Sequence, residues 1–293
     1  MKKAIHHWGL PREYDFDAKM RLVRELGYDG VELGIARGGE LSPDMDRFEL
    51  ASVKAKADKM GVIIHSLTCT LNWEASATSD IPQIREKARS TLVRQIDIAS
   101  QLKADCILAL PGFVALDFTI SSLCDQKSES AYNPSQERIR YDVAYKRAVD
   151  FFREIVPYAE DAGITVCVEN IWNHFLLSPI EMRDFIDDIG SDYVQSYFDV
   201  ANVMPYGYPE QWIAILDKRI KRVHLKDYLL ESNSVSGFTQ LLEGNVDFEA
   251  VANALHDIGY DAWVTAEVNA PENDRGETAK KAMTAINKIF GGV

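Results

Sequence analysis

Two glutamates, one aspartate and one histidine stand at the ends of four short apolar runs in the second half of the chain. The runs are Thr165-Val166-Cys167-Val168-Glu169-Asn170, Tyr197-Phe198-Asp199-Val200-Ala201-Asn202, Arg222-Val223-His224-Leu225-Lys226-Asp227 and Trp263-Val264-Thr265-Ala266-Glu267-Val268. Each run reads as a buried strand, and each ionisable group sits where the strand gives out into a loop. Laid side by side in parallel, the four strands would bring Glu169, Asp199, His224 and Glu267 to one rim. Hard oxygens with one imidazole form a ligand set for a single divalent cation. Any one of these residues alone is ordinary, since an acid after an apolar run is usually a helix cap or a solvated loop residue. Together they point to a site, because burying three carboxylates beside one another is costly unless a cation neutralises them.

The elements that must position these groups follow from the remaining pattern. Strand-like apolar runs also occur at Ala4–Trp8, Gly30–Leu33, Val62–Leu67 and Cys106–Leu110, which brings the number to eight. Helical spacing fills the intervals, at about 15–26, 44–60, 82–102, 136–161, 178–188, 209–217, 247–257 and 275–290. Glycine closes several helices just before a strand, in Leu26-Gly27-Tyr28, Met60-Gly61-Val62 and Ala162-Gly163-Ile164, as a left-handed helix C-terminus requires. Eight alternations of strand and helix predict an α/β fold, a closed (β/α)8 TIM barrel, in preference to an open doubly wound sheet. A faint repeat agrees: Gly27-Tyr28-Asp29 leads into the strand ending near Glu32, and Gly259-Tyr260-Asp261 into the one ending at Glu267.

At 293 residues, one barrel domain covering 1–293 uses nearly the whole chain. The balance of 45 acidic against 32 basic residues, a formal charge of −13, argues against a nucleic-acid surface. Met1-Lys2-Lys3 is followed by Ala4-Ile5-His6-His7-Trp8 and no long apolar stretch, so neither an export signal nor a membrane span is expected. Cys69, Cys106, Cys124 and Cys167 lack C-x-x-C spacing, and Cys106 and Cys167 fall within strands. Buried free thiols and a cytoplasmic location are the expectation. The longest irregular stretch, about 113–134, follows the fourth strand. On a barrel it would emerge at the catalytic rim, as a lid, a subunit contact or a simple insertion.

The strand-end set Glu169, Asp199, His224 and Glu267, the segment His224-Leu225-Lys226-Asp227 and the phrase Leu242-Glu243-Gly244-Asn245-Val246-Asp247-Phe248 resemble the sugar phosphate isomerase/epimerase family of xylose isomerase-like TIM barrels. Within it the chain is most similar to ketose 3-epimerases, including those acting on L-xylulose 5-phosphate and D-tagatose. The resemblance implies one divalent ion, Mn²⁺ first, with Mg²⁺, Co²⁺ or Zn²⁺ as alternatives. It also implies that Glu169 and Glu267, besides ligating, form the acid/base pair. The chemistry is coherent: inverting the carbon beside a ketone needs one base on each face and a positive partner for the enediolate oxygen.

Two positions depart from the D-tagatose type, which has a histidine where Asn202 stands and a glutamate where Phe175 stands. Asn202 retains an amide able to orient a sugar oxygen. Lys226, two residues after His224, points to the same face and is a candidate for an oxyanion or phosphate contact, or else a solvated rim lysine. His65, read as the end of the third strand, and Trp8 and Trp172 at other strand ends are further candidates for the sugar pocket. Adjacent His6 and His7 cannot both face inward. The expected partner is a small sugar or sugar phosphate, with no nucleic acid and no membrane, in a homodimer or homotetramer. Rival readings are a metal-dependent lyase of the inosose dehydratase type, an aldose–ketose isomerase and, remotely, an endonuclease IV-like DNA-repair nuclease. The last would need a histidine at position 202 and an Asp-x-His pair within 228–243, which has neither Asp nor His.

Overall fold

The computed structural model describes residues 1–115, 137–232 and 234–291. Eight parallel strands close into a barrel: β1 (Lys2–His6), β2 (Gly30–Ile35), β3 (Ile63–Cys69), β4 (Cys106–Ala109), β5 (Thr165–Glu169), β6 (Val194–Asp199), β7 (Ile220–Leu225) and β10 (Trp263–Ala266). Each pairs with its sequence neighbours, and β1 closes the ring on β10 in the register Lys2↔Trp263 to Ile5↔Ala266. Between β7 and β10 a short antiparallel hairpin, β8 (Asp227–Tyr228) with β9 (Phe238–Thr239), rises from the rim.

Eight helices surround the barrel: α1 (Phe16–Glu25), α2 (Arg47–Lys59), α3 (Pro82–Leu102), α4 (Tyr141–Ala162), α5 (Pro179–Ile189), α6 (Pro209–Leu216), α7 (Phe248–Asp257) and α8 (Glu277–Phe290). Their starts follow local chemistry. Asp46 and Glu49 form a reciprocal capping box on α2, and Asp15, Ser178 and Asp247 accept backbone N–H bonds at the heads of α1, α5 and α7. At the other end of α4, Gly163 takes φ 67°, a conformation that lets the chain turn directly into β5.

Strand pleating divides the core in two. Val166, Val168, Phe198, Val223 and Val264 belong to the large apolar layer shared with the helices, whereas Cys106, Leu108, Cys167 and Tyr197 form a separate cluster. A period of two then places Glu169 on the face of Cys167, Asp199 on that of Tyr197 and His224 on that of Arg222. Cys69, Cys106 and Cys167 are free buried thiols; Cys124 lies outside the described residues. The expected rim segment at about 113–134 also lies outside them from residue 116 onward.

Several strand ends differ from the sequence expectation, β2 among them, which runs past Leu33 to Ile35. β1 stops at His6, and His7–Gly9 form one 3₁₀ turn. β3 does not end at His65 but continues to Cys69, because Leu67 and Cys69 still pair with Leu33 and Ile35 of β2.

Candidate metal centre

Glu169 ends β5, Asp199 ends β6, His224 is the penultimate residue of β7 and Glu267 directly follows β10. One ligand atom from each lies within 4.8 Å of all the others, and all four residues are buried. His224 Nδ1 lies 3.1 Å from Glu169 Oε1 and 3.1 Å from Glu267 Oε2. Asp199 divides its carboxylate: Oδ1 accepts from Ala201 N at 2.8 Å and Asn202 N at 2.9 Å, while Oδ2 has no hydrogen-bond partner. Glu267 Oε2 is also buried, with the His224 ring as its neighbour. An orphaned aspartate oxygen beside two glutamates and an imidazole nitrogen fits a single divalent cation in both donor type and number.

Asn170 locks this arrangement across strands. Its Nδ2 donates to Asp199 O at 2.8 Å and its Oδ1 accepts from Asp199 N at 2.9 Å, while Asn202 Nδ2 donates to Asn170 O at 2.9 Å. Opposite, on β2, Glu32 is wholly buried and its Oε2 lies 2.6 Å from His224 Nε2. A carboxylate behind a ligating imidazole holds the proton on Nε2 and presents Nδ1 to the metal. The sequence reading passed over both roles. Asn170 followed a strand-end acid and read as loop, and Glu32 appeared only as part of a repeat.

The electrostatics reflect four carboxylates crowded around two cations. Burial pushes the Asp199 carboxyl up to about 7, with Lys226 opposing and Glu267 and Glu169 adding to the rise. Burial also raises Glu169, partly offset by the hydrogen bond with His224. For Glu267 the same desolvation is overcome by Lys226 and His224, which hold it well below the usual carboxylate range. Burial alone would lower His224, yet Glu32 and Glu267 outweigh it and raise the imidazole well above its ordinary value.

A cavity of about 400 Å³ opens over this group. Lys226, Asn202, Trp8 and Trp172 all line it, so four of the five candidate pocket residues come together there. Lys226 Nζ is 3.1 Å from Glu267 Oε1 and 4.2 Å from the centroid of Phe238, so it is not a solvated rim lysine. Trp172 donates Nε1–H to Asn202 O at 2.8 Å, and Trp8 is 40 % exposed at the mouth. His65 is the exception. It stacks on Trp263 at 4.5 Å with Nε2 3.2 Å from Thr265 Oγ1, deeper in the barrel and away from the cavity. Of the adjacent histidines, His6 lines the cavity. His7 lies so close to Gly34 that a Cβ there would fall 2.1 Å from its Nε2. Phe175 packs among Tyr141, Tyr145 and Phe185 instead of facing the cavity.

Asp227, the last residue of the quoted segment His224-Leu225-Lys226-Asp227, is wholly buried. It accepts from the N–H groups of Tyr228, Gly244 and Val246 at 2.8, 2.8 and 3.0 Å, which joins the two quoted motifs into one structure.

The family model described as xylose isomerase-like TIM barrel matches residues 20–289. Among curated proteins, the chain is 24% identical over 212 residues to a 2-epi-5-epi-valiolone 7-phosphate 2-epimerase of Actinoplanes sp., covering 72% of this chain and 67% of that one. It is 28% identical over 173 residues to an inosose dehydratase of Yersinia enterocolitica, covering 51% of this chain and 57% of the relative. Among solved structures, a D-psicose 3-epimerase crystallised in the presence of D-fructose superposes with a TM-score of 0.76 at 18% identity over 100% of both chains.

Proposed function

The chain belongs to the xylose isomerase-like TIM barrel family, and from that membership we propose a divalent-metal-dependent sugar epimerase acting at C3 of a ketose. One observation carries the reading: Glu169 and Glu267, at the ends of the two outermost of the four neighbouring strands β5, β6, β7 and β10, both line a single cavity together with His224. Epimerisation takes a proton from one face of a carbon and returns it to the other. Two carboxylates therefore serve as base and acid, and exchange roles when the direction reverses. A divalent ion held by Glu169, Asp199, His224 and Glu267, with Mn²⁺ as the proposed metal, would supply positive charge where the enediolate oxygen develops.

The chain's own residues account for the rest. Lys226, held beside Glu267, adds a fixed positive charge at the same place. Asn202 spends one Nδ2–H on Asn170, which leaves its amide oxygen to accept from a sugar hydroxyl and its second N–H to donate to one. Trp8 and Trp172 form apolar walls against which the C–H face of a sugar can lie and from which water is excluded. The direct test is a panel of ketoses assayed with Mn²⁺ in deuterated water. C3 inversion accompanied by deuterium at C3 is the expected result.

A metal-dependent lyase is the second reading, favoured by the inosose dehydratase relative. It shares the proton abstraction and then expels a hydroxyl. Dehydration of inosose, with every ketose inert, would replace the first reading by this one.

A further inference from the structure

We infer that the substrate carries no phosphate: the cavity is built for an uncharged keto-sugar. The inference rests on the sugar-epimerase reading and narrows its substrate class.

In a (β/α)8 barrel, a phosphate is commonly gripped by backbone N–H groups of the loops after the last two strands and by a helix N-terminus there. Here the protein's own oxygens, most of them carboxylate, already occupy several of those donors. In the loop after β7, Asp227 takes the N–H groups of Gly244 and Val246, and Asp247 takes that of Ala250 at the head of α7. After β10, Ala270 N is bonded to Trp8 O at 2.8 Å and Asn273 N to Glu13 Oε1 at 2.8 Å. At the head of α8, Asp274 accepts from Gly276 N at 3.0 Å and from Thr278 N at 3.0 Å. The helix end that would attract a dianion already carries an anion.

Side chains do not replace the missing grip. Among the described residues lining the cavity, Lys226 is the one lysine and there is no arginine. Its Nζ is committed to Glu267 at 3.1 Å and stands 3.6 Å from Asp199 Oδ2. Glu32, Glu169, Asp199 and Glu267 formally outnumber the combined charge of Lys226 and one divalent ion, so a dianion nearby meets net repulsion. Apart from its ionisable groups the described wall is uncharged, with Trp8, Trp172, Val235 and Phe238 beside the neutral polar side chains of Thr68, Thr70, Asn202 and Asn269.

The test compares matched ligands on the Mg²⁺-loaded full-length protein. Ribitol and ribitol 5-phosphate lack a ketone and cannot react, so calorimetric titration reads binding alone. The phosphate ester should bind at least about tenfold more weakly than the polyol; an ester that binds more tightly than the polyol overturns the inference. Sulfate gives an arm independent of sugar identity. It should raise the thermal midpoint no more than chloride at equal ionic strength, and a sulfate-specific rise abolished by Lys226→Gln also overturns the inference. Metal content of Asp199→Ala keeps the two levels apart: if that variant binds metal like the parent, the metal-dependent reading fails, whatever the anion arms report.

Discussion

His224 has carboxylates at both ring nitrogens, and the two sides do different things. Glu169 and Glu267 face Nδ1 as the proposed fellow ligands, whereas Glu32 meets Nε2 at 2.6 Å from across the barrel. Glu32→Gln keeps the size but removes the charge that fixes the tautomer. Metal affinity, measured by chelator competition, should fall about 10–100-fold with the fold intact; parental affinity would mean that Glu32 only fills space. Because His224 is raised well above its usual value by Glu32 and Glu267, the metal-free protein binds this proton more tightly than the unfolded chain does. That stabilisation is complete below about 6.5, the unfolded histidine value, and is lost as pH rises through the higher folded value. Metal must displace the same proton, so affinity should climb with pH across that interval and level off above it. Glu169→Gln and Glu267→Gln should each slow epimerisation by at least about a hundredfold. Measured with metal content held equal to the parent's, one variant should still exchange the C3 proton of the epimer its surviving glutamate can reach. A metal-replete Glu267→Gln enzyme working at the parental rate would end the two-base mechanism. The ligands were legible because four strand-end acids and bases recur in successive units. Glu32 was not, since a lone acid inside an apolar run carries no label until the strand opposite is known.

At the scale of elements, the alternation of strand and helix was readable because parallel strands are buried on both faces and appear as continuous apolar runs. His65 misled for the same reason: a polar residue inside such a run looks like its end. In the barrel interior, Thr265 and Trp263 accommodate the imidazole while the strand continues. The β8–β9 hairpin left no signal, having two residues per strand and a serine-rich turn between them. It is nevertheless tied down by Asp227. Asp227→Ala would leave the part-buried N–H of Gly244 and the buried N–H of Val246 without their acceptor, the buried one alone at about 1–3 kcal/mol. The expected result is a lower denaturation midpoint together with a raised KM, because Phe238 of this hairpin lines the cavity. Gly244→Ala should reproduce the stability loss, since the added Cβ would fall 2.3 Å from Asp227 Oδ1. A midpoint unchanged in both variants would show that the hairpin is held by something else.

For the molecule as a whole, ligand binding and stability are one measurement. An ion bound only by the folded state, at about a hundred times its dissociation constant, adds about 2.7 kcal/mol to unfolding. Mn²⁺ should therefore shift the denaturant midpoint of the parent and leave that of Asp199→Ala where it was. No helix among the described residues is long and apolar enough to cross a membrane. A homodimer or homotetramer is the expected assembly, to be decided by light scattering. The closing pair of the barrel has a consequence for synthesis on the ribosome. β1 is made first and its partner β10 last, with Lys2 waiting for Trp263. Until that final strand clears the exit tunnel, a nascent chain holds seven barrel strands with two open edges, at β1 and β7, and three of the four proposed ligands. Translation arrest just short of residue 263 therefore yields a chain prone to edge-to-edge association, and emergence of β10 removes both open edges and supplies the last carboxylate.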